Sequence, residues 1–219
     1  MTDPMKQTPW QTVGPFFHYG LPWKGAADLV AGEGELGARL DLIPEGHYLL
    51  GPGPLPGDVA RTAAKGEVIE ITGSVFDADG EPIADALVEI WQANPEGRYA
   101  SEADPRNEPA IDPDFIGFGR ASTSADGVFR FRTLKPGRVP GPGDTLQAPH
   151  IAVGLLGRGL LKRLVTRIYF EGEASNAEDP ILALVPEGRR DTLVARLEGG
   201  VWRFDIRLQG EAETVFFEI

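Results

Sequence analysis

From residue 67 onward the chain alternates apolar and polar positions with a period of two. Ile69, Ile71 and Val75 alternate with Glu70, Thr72 and Ser74, the pattern of a strand with one buried face. Asp77-Ala78-Asp79-Gly80 reads as a turn, and residues 86–93 as the next strand, which runs into Trp91-Gln92-Ala93-Asn94 before Pro95-Glu96-Gly97 turns the chain again. Residues 100–117 are acidic and Pro-rich, a long loop. Asp126-Gly127 opens a strand in which Phe129 and Phe131 face opposite to Arg130 and Arg132. Further strands are predicted at 150–156, 164–170, 202–208 and 214–218. The clearest has Trp202, Phe204, Ile206 and Leu208 alternating with Arg203, Asp205 and Arg207. Short helices are predicted over 33–42, with Leu36, Leu40 and Leu42 as a weak apolar face, and over 190–197, with Leu193, Val194 and Leu197.

Seven short strands separated by turns, with little helix, define an all-β class: a β-sandwich of mainly antiparallel strands. Regular crossover helices, which a parallel α/β sheet needs, are missing from the intervals. The 28 glycines and 19 prolines are spread throughout, so they mark turns and not a linker. Residues 1–60 read as an irregular N-terminal arm with a short helix, part of the same domain, and residues 61–219 as the sandwich core. The arm carries Trp10, Phe16, Phe17, Tyr19 and Trp23. Such side chains are costly to leave in water, which favours an arm that wraps the core or reaches a partner over a free tail.

A formal net charge of -12 disfavours nucleic acid and anionic membranes as partners, while a local arginine can still draw a small anion. The absence of cysteine removes disulfides, cysteine-ligated zinc and iron–sulfur centres. Residues 1–11 lack a basic region followed by an apolar run, and no apolar stretch reaches spanning length, so a soluble cytoplasmic protein is expected.

The three histidines, His18, His47 and His150, limit metal chemistry. Phosphate-binding Gly-Lys-Ser/Thr loops, dinucleotide fingerprints, zinc hydrolase motifs and nucleophile elbows are absent. His150 lies on an apolar strand and reads either as a satisfied core or interface histidine or as a ligand. Its same-face neighbour is Ala152, so that face offers one imidazole. Tyr99 is either packed by its ring or, as a phenolate, a donor for a hard ferric ion. Arg158, between Gly157 and Gly159, is either a solvated turn residue or a bidentate grip for a carboxylate. The stretch Gln11-Thr12-Val13-Gly14-Pro15-Phe16 forms a rigid turn suited to anchoring the arm or walling a pocket. Arg189-Arg190-Asp191 reads as surface.

Taken in order, Thr8-Pro9-Trp10-Gln11-Thr12-Val13-Gly14-Pro15-Phe16, Glu89-Ile90-Trp91-Gln92-Ala93-Asn94, Gly97-Arg98-Tyr99, Phe118-Gly119-Arg120, Lys135-Pro136-Gly137, Ala148-Pro149-His150-Ile151, Thr166-Arg167-Ile168-Tyr169-Phe170 and the run Arg203 to Glu211 with Thr214-Val215-Phe216-Phe217 resemble the intradiol ring-cleaving dioxygenases. Each motif alone is weak; their order from residue 8 to the end is specific. The resemblance implies a non-haem Fe(III) enzyme whose working chains hold the metal with two tyrosines and two histidines. Carried over, Tyr99 matches the first tyrosine and His150 the first histidine, while Val139 and Ala152 stand at the other two positions. Valine and alanine offer no donor. Tyr99 and His150 are therefore remnant ligand positions, Tyr99 being expected to keep the hydrogen-bond role, and no metal is expected on this chain. The pattern is that of the family's α chains, which pair with iron-bearing β chains into αβ protomers and larger oligomers. In such assemblies the β subunit holds Fe(III) and the α chain lines the pocket for protocatechuate, an anionic dihydroxybenzoate, and O2. Thr12, Gly14, Pro15 and Arg158 match those pocket positions. Two other readings remain open: a self-sufficient enzyme acting on catechol or hydroxyquinol, and a non-enzymatic binding sandwich of transthyretin-like shape.

Overall fold

A computed structural model describes residues 12–14, 27–30 and 64–218. The segment around Pro15, the aromatic arm residues and the helix expected over 33–42 lie outside the described residues. The strands in chain order are β1 (Val68–Phe76), β2 (Leu87–Trp91), β3 (Phe118–Ser122), β4 (Val128–Leu134), β5 (Val139–Pro140), β6 (Leu146–Gln147), β7 (His150–Leu156), β8 (Leu164–Phe170), β9 (Val194–Glu198), β10 (Val201–Arg203) and β11 (Ile206–Arg207). Nine of them form one sheet in the order β11-β1-β10-β9-β8-β7-β2-β3, with β4 added on β1; β5 and β6 pair separately.

One apolar cluster collects Ile69, Ile71 and Val75 of β1, Phe129 and Phe131 of β4, Val88 and Ile90 of β2, Ile151, Val153 and Leu155 of β7, and Ile168 and Phe170 of β8. Side chains from the β1–β4 arm and from the β2–β7–β8 arm thus fill a common interior, as the period-two pattern requires of a sandwich. Phe129, Phe131 and Phe170 are almost wholly buried, each contributing about 2–3 kcal/mol by removal from water. Gln92 ties the two arms together. Its Nε2 donates to the Leu134 carbonyl at 2.7 Å, and its Oε1 accepts from the Thr133 hydroxyl at 2.9 Å.

The strands expected at 150–156 and 164–170 form as β7 and β8. Three expectations need correction. The segment 202–208 keeps its alternating burial but breaks between β10 and β11. At the break the Phe204 carbonyl lies against Gly73, where a Cβ would sit 1.7 Å from that oxygen. The Asp205 carboxylate, not a backbone carbonyl, accepts the Ser74 N–H at 2.9 Å. Residues 190–197 are not a helix. A 3-10 turn covers Glu187–Leu193 and β9 follows. Pairing with β8 on one side and β10 on the other overrides the weak helical periodicity. Residues 214–218 form no strand, although Phe217 N–H donates to Val165 at 2.8 Å and lays the segment along β8. Three pairings, β1 with β10, β1 with β11 and β8 with β9, are parallel, against six antiparallel ones.

Candidate functional site

The outer face of β2, β7 and β8 carries the row Trp91, Ala152 and Arg167, paired in register, and beside it His150 opposite Tyr169. The loop after β2 delivers Tyr99 to the same place. Asn94 builds that loop: its Oδ1 accepts the N–H groups of Glu96 at 3.1 Å and Arg98 at 2.8 Å, and its carbonyl accepts those of Gly97 at 2.9 Å and Gly137 at 3.0 Å. Gly97 has a φ of +78°, and a Cβ there would meet the Arg138 carbonyl at 1.9 Å. A side chain at residue 97 would push the Tyr99 loop away from the Val139 loop. With glycine there, Tyr99 stacks on Trp91 with ring centroids 5.8 Å apart and planes 14° from parallel.

The result is a cavity of about 340 Å³ lined by Trp91, Tyr99, Asp104, Arg106, Val139 and Pro140 among others. Asp104 closes one wall. It accepts from Arg98 Nη1 at 2.7 Å and from Arg106 Nε at 2.9 Å and Nη2 at 2.7 Å. The Arg106 hydrogen bond holds the Asp104 carboxyl near 2, well below the usual carboxylate range. Burial pushes the Tyr99 phenol up, against the opposing pull of Arg167. Burial also pushes His150 down to about 4, with Arg167 acting in the same direction. His150 Nδ1 lies 2.8 Å from the Ala148 carbonyl, so Nδ1 carries the proton and donates.

Of the four positions carried over from the family's ligand set, Tyr99 and Val139 line this recess, Ala152 is in register beside Trp91, and His150 lies two residues from Ala152 on the same face of β7. The donor set does not fit a ferric ion. Valine and alanine contribute nothing, and among the described residues no group of three or more His, Asp or Glu could hold a metal. The two remnants are held differently. Among the described residues His150 has the side-chain hydrogen bond, while the Tyr99 hydroxyl has none and Tyr99 is held by ring stacking and by its N–H to Asp104 at 3.3 Å.

The second group of expected site residues lies elsewhere. Val13 pairs in parallel with Arg158 in an isolated bridge, which sets Thr12 and Gly14 beside Arg158. Thr12, Gly14 and Arg158 are exposed, and Arg158 Nε pairs with Asp85. Arg158 follows the far end of β7 from His150, roughly 25 Å along the strand at about 3.3 Å per residue. Pro15 falls outside the described residues.

Sequence reasoning gave no role to Asp104, Arg106, Arg167 or Asp179. Arg167 had a visible signal, a lone charge inside the apolar run of β8; Asp104 and Arg106 sit in the loop, where no periodicity operates.

Residues 57–210 match the family model described as Dioxygenase. The chain is 39% identical over 98% of both sequences to the protocatechuate 3,4-dioxygenase alpha chain of Burkholderia cepacia. It is 42% identical to the beta chain from the same organism, over 74% of this chain and 75% of that one. In fold it resembles the dioxygenase domain of a carbohydrate-binding fusion protein from Streptomyces sp. SirexAA-E, with a TM-score of 0.53 and 24% identity over 94% of this chain and 99% of that one. The chain belongs to the intradiol ring-cleaving dioxygenases, an enzyme family dependent on non-haem iron. Within that family it is similar to the alpha chains over its whole length and to a beta chain over three quarters of it.

Proposed function

We propose that this chain is the iron-free α subunit of a protocatechuate 3,4-dioxygenase. It completes a substrate pocket whose Fe(III) is held by a β subunit, and the αβ unit cleaves protocatechuate with O2 to 3-carboxy-cis,cis-muconate. The observation that carries the reading is the pair Val139 and Ala152, buried and half-buried in the recess where donors are needed. Percentage identity alone does not separate α from β here; these two side chains favour α.

Two features support a shared pocket. Thr12, Gly14 and Arg158 are too far along β7 from Tyr99 and His150 to serve this chain's own recess. They are also exposed, as residues that meet a partner's site must be in the isolated chain. In the assembly Thr12, Gly14 and Pro15 would wall the pocket and orient the ring, and Arg158 would offer a favourable potential to the substrate carboxylate. The iron of the β subunit supplies the Lewis acidity when bound. This chain's residues bind, orient and exclude water. Further αβ protomers would assemble, in the cytoplasm.

The test is expression with and without a β-type partner, followed by mass and iron analysis. One iron per αβ unit, and none on this chain alone, is expected. Stoichiometric iron with tyrosinate charge-transfer colour on the chain alone would favour the self-sufficient catechol or hydroxyquinol enzyme. A chain that takes up no partner and supports no cleavage would favour a binding sandwich.

A further inference from the structure

Arg167 lies within one neighbour of Val139, His150 and Ala152, and its charge reaches Tyr99. It stands directly across β7–β8 from Ala152. Its Nη1 donates to Gln147 Oε1 at 2.6 Å, and Gln147 is the β5–β6 partner of Val139. The same nitrogen lies 3.4 Å from the Tyr169 hydroxyl, and Tyr169 is the β8 partner of His150, its ring 5.8 Å from the imidazole. Its charge also acts on both Tyr99 and His150. Arg167 forms no ion pair with a carboxylate among the described residues; its hydrogen bonds go to neutral oxygens, and its guanidinium lies 5.9 Å from the Phe217 ring centroid. The side chain is half-buried and fixed by these contacts from three sides.

A recess that keeps two remnant donors needs a reason not to bind a metal weakly and adventitiously. We propose that the Arg167 guanidinium takes over the place and the charge of the ion, so that the recess excludes iron through a fixed cation as well as through missing donors. The proposal rests on the reading of Tyr99, Val139, His150 and Ala152 as the family's ligand positions. A guanidinium suits the role because it is a delocalised cation that spans several acceptors in one plane, so it both fills space and repels a metal ion. A cation held there raises the energy of any metal ion brought beside it. Its hydrogen bonds to Gln147 Oε1 and the Tyr169 hydroxyl also explain why an arginine is tolerated inside the otherwise apolar run of β8.

The experiment restores the donors with and without the cation, in the αβ complex. Three complexes are compared by iron per αβ unit and by visible tyrosinate-to-iron absorption: the natural chain, Val139→Tyr with Ala152→His, and the same pair with Arg167→Gln. The natural complex is expected to hold one iron, the double variant still one, and the triple variant two, with increased visible absorption. A second iron in the double variant, with Arg167 intact, overturns the proposal. So does a triple variant that is folded by circular dichroism yet holds one. Adding Arg167→Lys to the donor pair keeps a cation and is expected to stay at one iron; two would also overturn it. An error in the functional reading would appear differently, as a natural complex with no iron or with iron on this chain.

Discussion

The Tyr169 hydroxyl donates to Asp179 Oδ1 at 3.0 Å, and both side chains are buried. Asp179 does more than hold one phenol. The same Oδ1 accepts the N–H groups of Ile181 at 2.9 Å and Leu182 at 2.7 Å, and Oδ2 accepts that of Ala148 at 2.7 Å. One carboxylate thus joins the segment entering β7, the buried Tyr169 of β8 and the turn after residue 178. Asp179→Ala leaves four donors without their acceptor and is expected to cost about 3–5 kcal/mol in urea unfolding, whereas Tyr169→Phe costs about 1–2 kcal/mol.

His150 gives the fold a dependence on pH. Its folded value, about 4, lies below the ordinary histidine value of 6.5 because burial disfavours the imidazolium. In the unfolded chain it protonates first as pH falls, so stability is full above about 6.5 and declines between 6.5 and 4, by roughly 2–3 kcal/mol over the window. Denaturant unfolding at pH 7.5 and pH 5 reads the loss, and His150→Gln is expected to flatten the slope between them. An equal slope in both proteins would remove His150 as the cause.

Arg158 tests the shared pocket. Because Asp85 pairs with it, its field is already partly spent. Arg158→Ala is expected to lower kcat/KM of the αβ complex for protocatechuate about tenfold, and for plain catechol about twofold or less. Asp85→Asn, which releases the guanidinium, moves the carboxylated substrate the other way. Equal losses on both substrates would mean that Arg158 acts on structure and not on charge.

Tyr99→Phe is expected to leave iron content and visible absorption of the complex unchanged, because the phenol stacks on Trp91 and ligates nothing on this chain. Stoichiometric iron loss would contradict the division of labour between the subunits.

Gly97→Ala is expected to destabilise by about 3 kcal/mol or more, since the added carbon meets a backbone carbonyl at 1.9 Å and the positive φ is itself unfavourable. Thermal unfolding measures it, and near-ultraviolet circular dichroism should report loss of the Trp91–Tyr99 stack.

The strands with one buried face were legible because alternation records burial directly, as in β1, β4, β7 and β8. The β9 strand was not. Its apolar positions fit a helix as well as a strand, and only its neighbours on both sides decide. The break at Phe204 was hidden for a similar reason: it depends on Gly73, which lies 131 residues away in sequence and shows no sign of its contact. The recess was half legible. Tyr99, Val139, His150 and Ala152 could be placed by motif; Tyr99 and Val139 line the recess, and Ala152 and His150 share the strand face beside Trp91. Arg167 was on the page as a motif member without a role, since a cross-strand register is a property of the fold and not of either strand. The separation between the Arg158 cluster and the His150 recess likewise follows only once β7 is seen to run between them.

Gln92 bolts the end of β2, one residue after Trp91, onto the end of β4 in the opposite arm of the sheet. The strand that carries Trp91 is therefore tied down by an amide, a carbonyl and a hydroxyl of this chain. On the proposed division of labour, maturation of this polypeptide need not wait on the supply of a scarce transition metal, and stripping the assembly with a chelator should silence it while leaving this half of the protomer standing.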